Sequence, residues 1–323
     1  MMKVLITGRL PEEVMAVIKK EHLVEAHGED RPMERKRLLE LVRDKEGLLC
    51  MITDRIDEEL LNRAAHLKMI ANLAVGYDNI DMEAATLRHI PVSNTPDVLT
   101  DATADLTFAL ILATARRVVE GDKRTRAGKF RYWAPSLFLG RGVSGKTLGI
   151  IGLGRIGRAV AQRAKGFDMG VLYNNRRPLA ATLEKELGVE YADFTTLLAQ
   201  SDFVSVHVPL NDETRHLIDS EALGKMKSTA YLINTSRGPV VDERALEKTL
   251  REGKIAGAGL DVYENEPHVF PDLMELENVV LLPHMGSATV ETRTGMARKA
   301  TENLLAGLSG KRPPDCLNWE GIS

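Results

Sequence analysis

Residues 147–157 read TLGIIGLGRIG. The first five are an apolar run of the length of a buried strand, and RIGRAVAQRAKGF, from Arg155 onward, has the pattern of a helix. Between them Gly152, Gly154 and Gly157 stand at G-x-G-x-x-G spacing. On a strand–turn–helix unit each glycine has a task. The first permits a tight turn, the second lets backbone approach a pyrophosphate, and the third lets helix pack on strand. N–H groups at the helix start then face the anion, with Leu153, Arg155 and Ile156 completing the turn. An ordinary strand–helix turn is the competing reading.

The strand after a dinucleotide turn commonly ends in an acidic residue that binds the ribose 2′-hydroxyl of NAD. Here that end reads Tyr173-Asn174-Asn175-Arg176-Arg177. The carboxylate is missing, and two guanidiniums could hold a 2′-phosphate by charge-assisted hydrogen bonds. Asn175, Arg176 and Arg177 therefore predict a preference for NADP(H), with NAD(H) left open; solvated loop arginines are the alternative.

Alternation of short apolar runs with helical patterns extends in both directions. Downstream, strands are expected at 169–174, 202–207, 229–234, 256–261 and 278–282, with helices near 155–166, 179–187, 219–226 and 242–252. Upstream, strands are expected at 3–7, 22–26, 47–52, 68–73 and 90–93, with helices near 11–20, 33–44, 57–64 and 81–87. A longer helix follows, with Asp101 as expected N-cap, then an irregular stretch, Gly121–Gly145. The segment 287–308 again has a helical pattern. The whole predicts an α/β protein of two doubly wound, parallel-sheet domains.

The chain has 323 residues, 44% hydrophobic and 28% charged, and a formal net charge of −3, which fits a globular protein of about two domains. No basic block argues for nucleic acid, and no apolar run approaches the roughly 20 residues that span a bilayer. The N-terminal MMKVLITG reads as a buried strand rather than a signal peptide. Cys50 and Cys316 lack metal or redox spacing, and Cys50, inside GLLCMI, reads as a reduced core thiol. A cytoplasmic setting is expected, and no metal.

Three polar residues stand at expected strand ends: Arg237 in INTSRGPVVDE, Glu266 in GLDVYENEP and His284 in LLPHMGSAT. In open α/β sheets the C-terminal ends of strands line the ligand crevice. Arginine can pair with a substrate carboxylate and polarise a keto oxygen. An imidazole titrates near neutrality and can pass a proton to that oxygen. A carboxylate bonded to the imidazole would favour its protonated form and fix its orientation. Singly, each could be a surface arginine, a helix-start acid or a loop histidine.

Taken together, ANLAVGYDNID, TPDVLTDATAD, GKTLGIIGLGRIG, INTSRGPVVDE, AGAGLDVYENEP and LLPHMGSAT resemble, in order and over nearly the whole chain, the motifs of the D-isomer-specific 2-hydroxyacid dehydrogenases, in particular their glyoxylate/hydroxypyruvate reductases. The resemblance implies that Arg237 binds substrate, Glu266 is the partner acid and His284 the acid/base. It implies that backbone N–H groups of Val75 and Gly76 hold the substrate carboxylate. Thr103 would lie near the nicotinamide, Val208 and Pro209 beside the adenine, and Thr235, Ser236 and Asp261 around the nicotinamide and its ribose; Gly286 and Ser287 would close over the ring.

The resemblance also orders the domains. Residues 1–99 and 287–323 would form a flavodoxin-like substrate domain, and residues 100–286 an inserted Rossmann dinucleotide-binding domain, with the active site in the cleft. Gly121–Gly145 would be a dimerisation arm, with Trp133, Leu137 or Phe138 reaching toward the neighbouring subunit's pocket or only packing in the contact. The expected reaction is reduction of glyoxylate, hydroxypyruvate or a similar small 2-keto acid by a homodimer. Phosphoglycerate and phosphite dehydrogenases stay open as other branches, and so does a nucleotide-sensing protein like the family's corepressor relatives.

Overall fold

The computed structural model describes residues 1–322 and divides them into two compact units: Met1–Leu99 together with the segment from Ser287 onward, and Thr100–Gly286.

The first unit holds five strands: β1 (Lys3–Ile6), β2 (Leu23–Ala26), β3 (Gly47–Met51), β4 (Met69–Leu73) and β5 (Val92–Ser93). All pair in parallel, in the order β2-β1-β3-β4-β5. This is a flavodoxin-like order, with chain direction across the sheet reversing between β1 and β3. Successive residues of β1 serve opposite faces, as the two-residue repeat of a strand requires. Val4 and Ile6 pack against Ala297, Ala300 and Leu304 of the helix Val290–Leu308, whereas Leu5 joins Leu38, Leu48, Cys50 and Ile70. Thr289 caps that long helix, its side chain accepting from Thr292 N–H.

The second unit holds seven: β6 (Thr147–Ile151), β7 (Gly170–Asn174), β8 (Glu190–Tyr191), β9 (Phe203–Val206), β10 (Tyr231–Asn234), β11 (Gly257–Leu260) and β12 (Val279–Leu281). They too are all parallel, in the order β12-β11-β10-β9-β6-β7-β8. Direction reverses beside β6, so the C-terminal ends of β6 and β9 flank the position where such sheets bind ligands. Strand residues here are buried almost throughout, as expected for a sheet covered on both faces.

Three local expectations change. The long helix is Thr100–Ala115, so Asp101 lies inside its first turn and is not the N-cap. A helix, Val118–Arg126, occupies the start of the stretch read as irregular. Strand β8 and the helix Phe194–Gln200 fill a region where the sequence pattern predicts no element. Cys50 and Cys316 are free thiols, Cys50 fully buried. Among the described residues no helix is long and apolar enough to cross a membrane, and no group of three or more His, Cys, Asp or Glu could hold a metal ion.

Candidate active site

The glycine turn follows β6 and leads into the helix Arg155–Ala164. Gly152 has φ +96°, a conformation that L side chains rarely adopt, and a Cβ there would lie 2.8 Å from the His207 carbonyl carbon. A Cβ on Gly157 would lie 2.4 Å from the Gly152 carbonyl oxygen. Gly154 is the N-cap and has open space where its Cβ would be. No side chain caps this helix, and no acidic residue stands in its first turn. An anion at the turn would therefore meet helix-start N–H groups without carboxylate competition, so these residues fit a pyrophosphate.

The end of β7 is tied to the same turn. Asn175 Oδ1 accepts from Leu153 N–H at 2.7 Å, and Gly152 N–H donates to the Asn174 carbonyl at 2.9 Å. Arg176 and Arg177 are exposed, and Arg176 Nη1 lies 3.5 Å from Glu213 Oε2. Val208 and Pro209 follow β9 at the next strand end. Just before them His207 Nε2 bonds Ser205 Oγ at 2.8 Å, and burial holds the His207 ring down at about 4.

Arg237 is presented by a turn after β10. The buried Asn234 organises it: its Oδ1 accepts from Ser236 N–H (3.0 Å) and Ser236 Oγ (2.9 Å), and its Nδ2 donates to the Arg237 carbonyl (2.9 Å). Thr235 is buried, with its hydroxyl 3.0 Å from that of Thr107. At Gly238 a Cβ would lie 1.8 Å from the Tyr263 carbonyl carbon, so only glycine lets the Arg237 loop approach the loop after β11 this closely.

Glu266 and His284 meet directly: His284 Nδ1 lies 2.7 Å from Glu266 Oε2, and Glu266 Oε1 accepts from Tyr263 N–H at 3.0 Å. Burial pushes the Glu266 carboxyl up, but its bonds to His284 and Tyr263 and the nearby Arg237 outweigh this and hold it below its ordinary range. His284 has φ +51° and is pinned on both sides. Before it, Tyr263 Oη donates to the Leu282 carbonyl at 2.8 Å; after it, Asp261 accepts from Met285 and Gly286 N–H, each at 2.8 Å. Thr103 Oγ1 donates to the Gly286 carbonyl at 3.2 Å. Burial raises the Tyr263 phenol, with Asp261, Glu266 and Glu243 adding to the effect, so it stays a neutral donor.

In the first unit, the Val75–Gly76 loop follows β4. Three successive carbonyls are tied back: Ala74 O accepts from Thr95 N–H (2.8 Å), Val75 O from Asn94 Nδ2 (2.7 Å) and Gly76 O from Asn72 Nδ2 (2.9 Å). Carbonyl and N–H of one planar peptide point opposite ways. The N–H groups of Val75, Gly76 and Tyr77 are thus turned from these anchors, as an anion cradle requires. Beneath, Asn79 Nδ2 donates to the Asp54 carbonyl (3.0 Å), and the buried Asp54 carboxylate takes the Met51 N–H (2.7 Å) and the Thr7 hydroxyl.

Asn72, Asn94, Asn234, Gly238 and Tyr263 did not emerge from the sequence as site residues. The available signal was a carboxamide within or closing an apolar run, as in MIANL and YLIN.

The family model described as D-isomer specific 2-hydroxyacid dehydrogenase, NAD binding domain, matches residues 108–286. A glyoxylate reductase of Thermococcus litoralis is 53% identical over 327 residues, covering 99% of this chain and 98% of the relative. A crystal structure of a Thermus thermophilus protein superposes with a TM-score of 0.92 at 45% identity, covering 98% of this chain and 100% of that one. The NADPH-dependent glyoxylate/hydroxypyruvate reductase of Sinorhizobium meliloti, solved with NADP and malonate, gives 0.84 at 32% identity, covering 98% and 96%. The chain belongs to the D-isomer-specific 2-hydroxyacid dehydrogenases. It is an oxidoreductase whose cofactor is a nicotinamide dinucleotide.

Proposed function

We propose that this protein reduces glyoxylate, hydroxypyruvate or a similar small 2-keto acid to the D-2-hydroxy acid, with NADP(H) favoured over NAD(H). The observation that carries the reading is the 2.7 Å His284–Glu266 bond at strand ends that also present Arg237. Relatives named glyoxylate reductase at about half identity support the substrate class.

The bound nicotinamide supplies the hydride. His284 gives the proton that turns the keto oxygen into a hydroxyl, and takes it back in the reverse direction. Its Nδ1 is engaged by Glu266, so Nε2 is the atom left to face substrate. Ionised Glu266 stabilises the imidazolium and fixes the ring. Arg237 pairs with the substrate carboxylate and polarises the keto oxygen. The Val75 and Gly76 N–H groups are offered to a substrate carboxylate. Gly152, Leu153, Gly154, Arg155, Ile156 and Gly157 hold the pyrophosphate; Val208 and Pro209 border the adenine; Thr103, Thr235, Ser236, Asp261 and Gly286 surround the nicotinamide end. Asp261 and Thr103 do so by fixing the loop that carries His284.

The missing carboxylate after β7 and the exposed Arg176 and Arg177 support NADP(H), as does the S. meliloti neighbour solved with NADP. A homodimer is supported by five exposed apolar residues in the arm, Phe130 (68%), Tyr132 (67%), Trp133 (78%), Leu137 (37%) and Leu139 (64%), an unusual display for a surface facing only water. Phe138, in contrast, is covered within the chain by Arg117, whose guanidinium carbon lies 4.1 Å from the ring centroid.

Initial rates on glyoxylate, hydroxypyruvate and pyruvate with each cofactor, plus phosphite with NAD, test the assignment. Turnover of glyoxylate or hydroxypyruvate with NADPH is expected. Tight dinucleotide binding without turnover of any keto acid would overturn it in favour of a sensing protein.

A further inference from the structure

The loop bearing Arg237 and the loop bearing Glu266 are fastened together at two points outside the triad. One is the backbone contact of Gly238 with Tyr263. The other is an exchange between two glutamates. Glu243 N–H donates to Glu264 Oε1 at 2.9 Å, and Glu264 N–H donates to Glu243 Oε1 at 2.8 Å. Each loop supplies one donor and one acceptor, so a slide of either breaks both bonds.

Glu243 opens the helix Glu243–Arg251, where first-turn N–H groups need partners from outside. Asp242 serves those of Arg244 and Ala245, and Glu264 serves that of Glu243. Glu243 is only 5% exposed. Burial raises its carboxyl, and the neighbouring Glu264 and Glu266 add to this, against the Glu264 N–H that favours the charge. His216 Nε2 lies 3.2 Å from Glu264 Oε2 and offers a countercharge when protonated. Two neighbouring carboxyl groups, one of them buried, are a costly way to join two loops, and an apolar contact would hold them together without that cost. What the exchange adds is direction: it fixes the Tyr263–Glu266 loop against the segment that starts at Arg237.

We propose that Glu264, through its exchange with Glu243, is a positioning residue for hydride transfer, setting the Arg237 guanidinium and the Glu266–His284 pair in register. It rests on the catalytic reading of those three residues above.

The test compares Glu264→Ala, Glu264→Asp and Glu264→Gln for kcat and KM with glyoxylate and NADPH. Gln keeps the reach and an acceptor oxygen but loses the charge; Asp keeps the charge but is one methylene short. Ala and Asp are expected to lower kcat tenfold or more, with the KM for NADPH within twofold, and Gln to restore most of the loss. Unchanged kcat in Asp, loss in Gln equal to that in Asp, or cofactor binding that falls in step with kcat would overturn the proposal. If Ala does not fold, the Asp–Gln pair decides. A wild-type protein inert on every keto acid overturns the proposed function instead. The positioning role is then read from the imidazole resonances of His284 by NMR, which Asp should displace and Gln should leave in place; displacement by neither variant, or by both, overturns it.

Discussion

His284 Nδ1 meets Glu266 Oε2 at 2.7 Å from a backbone held at φ +51°. The histidine is thus fixed twice, by its ring and by its main chain. His284→Gln should lower kcat by about 10²–10⁴, the usual contribution of a positioned acid/base, with the Kd for NADPH, read by fluorescence titration, little changed. Glu266 is held below the ordinary carboxylate range and stays ionised through weakly acid pH. Glu266→Gln should therefore lower kcat across pH 5 to 8 rather than only at one end. Wild-type turnover in either variant would remove the assigned role.

The arginines after β7 can be tested by cofactor comparison. Two charge-assisted hydrogen bonds to a 2′-phosphate are worth about 1.5–3 kcal/mol each. Arg176→Ala with Arg177→Ala should raise the KM for NADPH by about tenfold or more and leave that for NADH nearly unchanged. Equal shifts for the two cofactors would sink the NADP(H) preference.

Asn94 holds the Val75 carbonyl and so orients the Gly76 N–H. Asn94→Ala removes a buried bond of about 1–3 kcal/mol. The KM for glyoxylate should rise about tenfold, with the KM for NADPH unmoved. A change confined to the cofactor would separate this loop from the substrate carboxylate.

His207 makes stability sensitive to acid. Its ring is held at about 4 by burial, although part of the residue still reaches the surface, whereas an unfolded chain takes the proton at about 6.5. The unfolded state therefore binds more protons between these values, and the folded state loses ground as pH falls through that window. At about 1.4 kcal/mol per pH unit the loss reaches roughly 3 kcal/mol near pH 4. His207→Gln, which can keep the bond to Ser205, should flatten the acid limb of Tm against pH. An identical acid limb in wild type and variant would refute this.

Strand–helix alternation was readable because both sheets are parallel and their strands are short apolar runs bounded by glycine and polar residues. TLGII and the glycines after it identified the nucleotide fold, since the turn's geometry demands those residues locally. Strand β8 escaped because two exposed residues, Glu190 and Tyr191, carry no periodicity. Asp101 misled because Thr100 already lies in the helix, so the expected cap falls inside the first turn. Arg237, Glu266 and His284 could be placed at strand ends by type and motif. Their supports could not. Glu243 and Glu264 are 21 positions apart, and each reads alone as an ordinary acid of a helix start or a loop. Asn94 and Val75 are 19 apart, and their contact exists only once β4 and β5 are paired. Support of this kind arises from tertiary approach, which no local pattern records.

Asn175 directly follows β7, in the stretch where an NAD enzyme of this fold carries an acid, and it is already committed to the Leu153 N–H. Aspartate differs from asparagine by one atom in the side chain and by one base in either codon. An Asn175→Asp protein would keep that bond, because a carboxylate accepts an N–H at least as well, while adding a charge that repels a 2′-phosphate. On the proposed NADP(H) reading, a single transition in this codon would therefore weaken the hold on a 2′-phosphate while leaving the glycine turn intact.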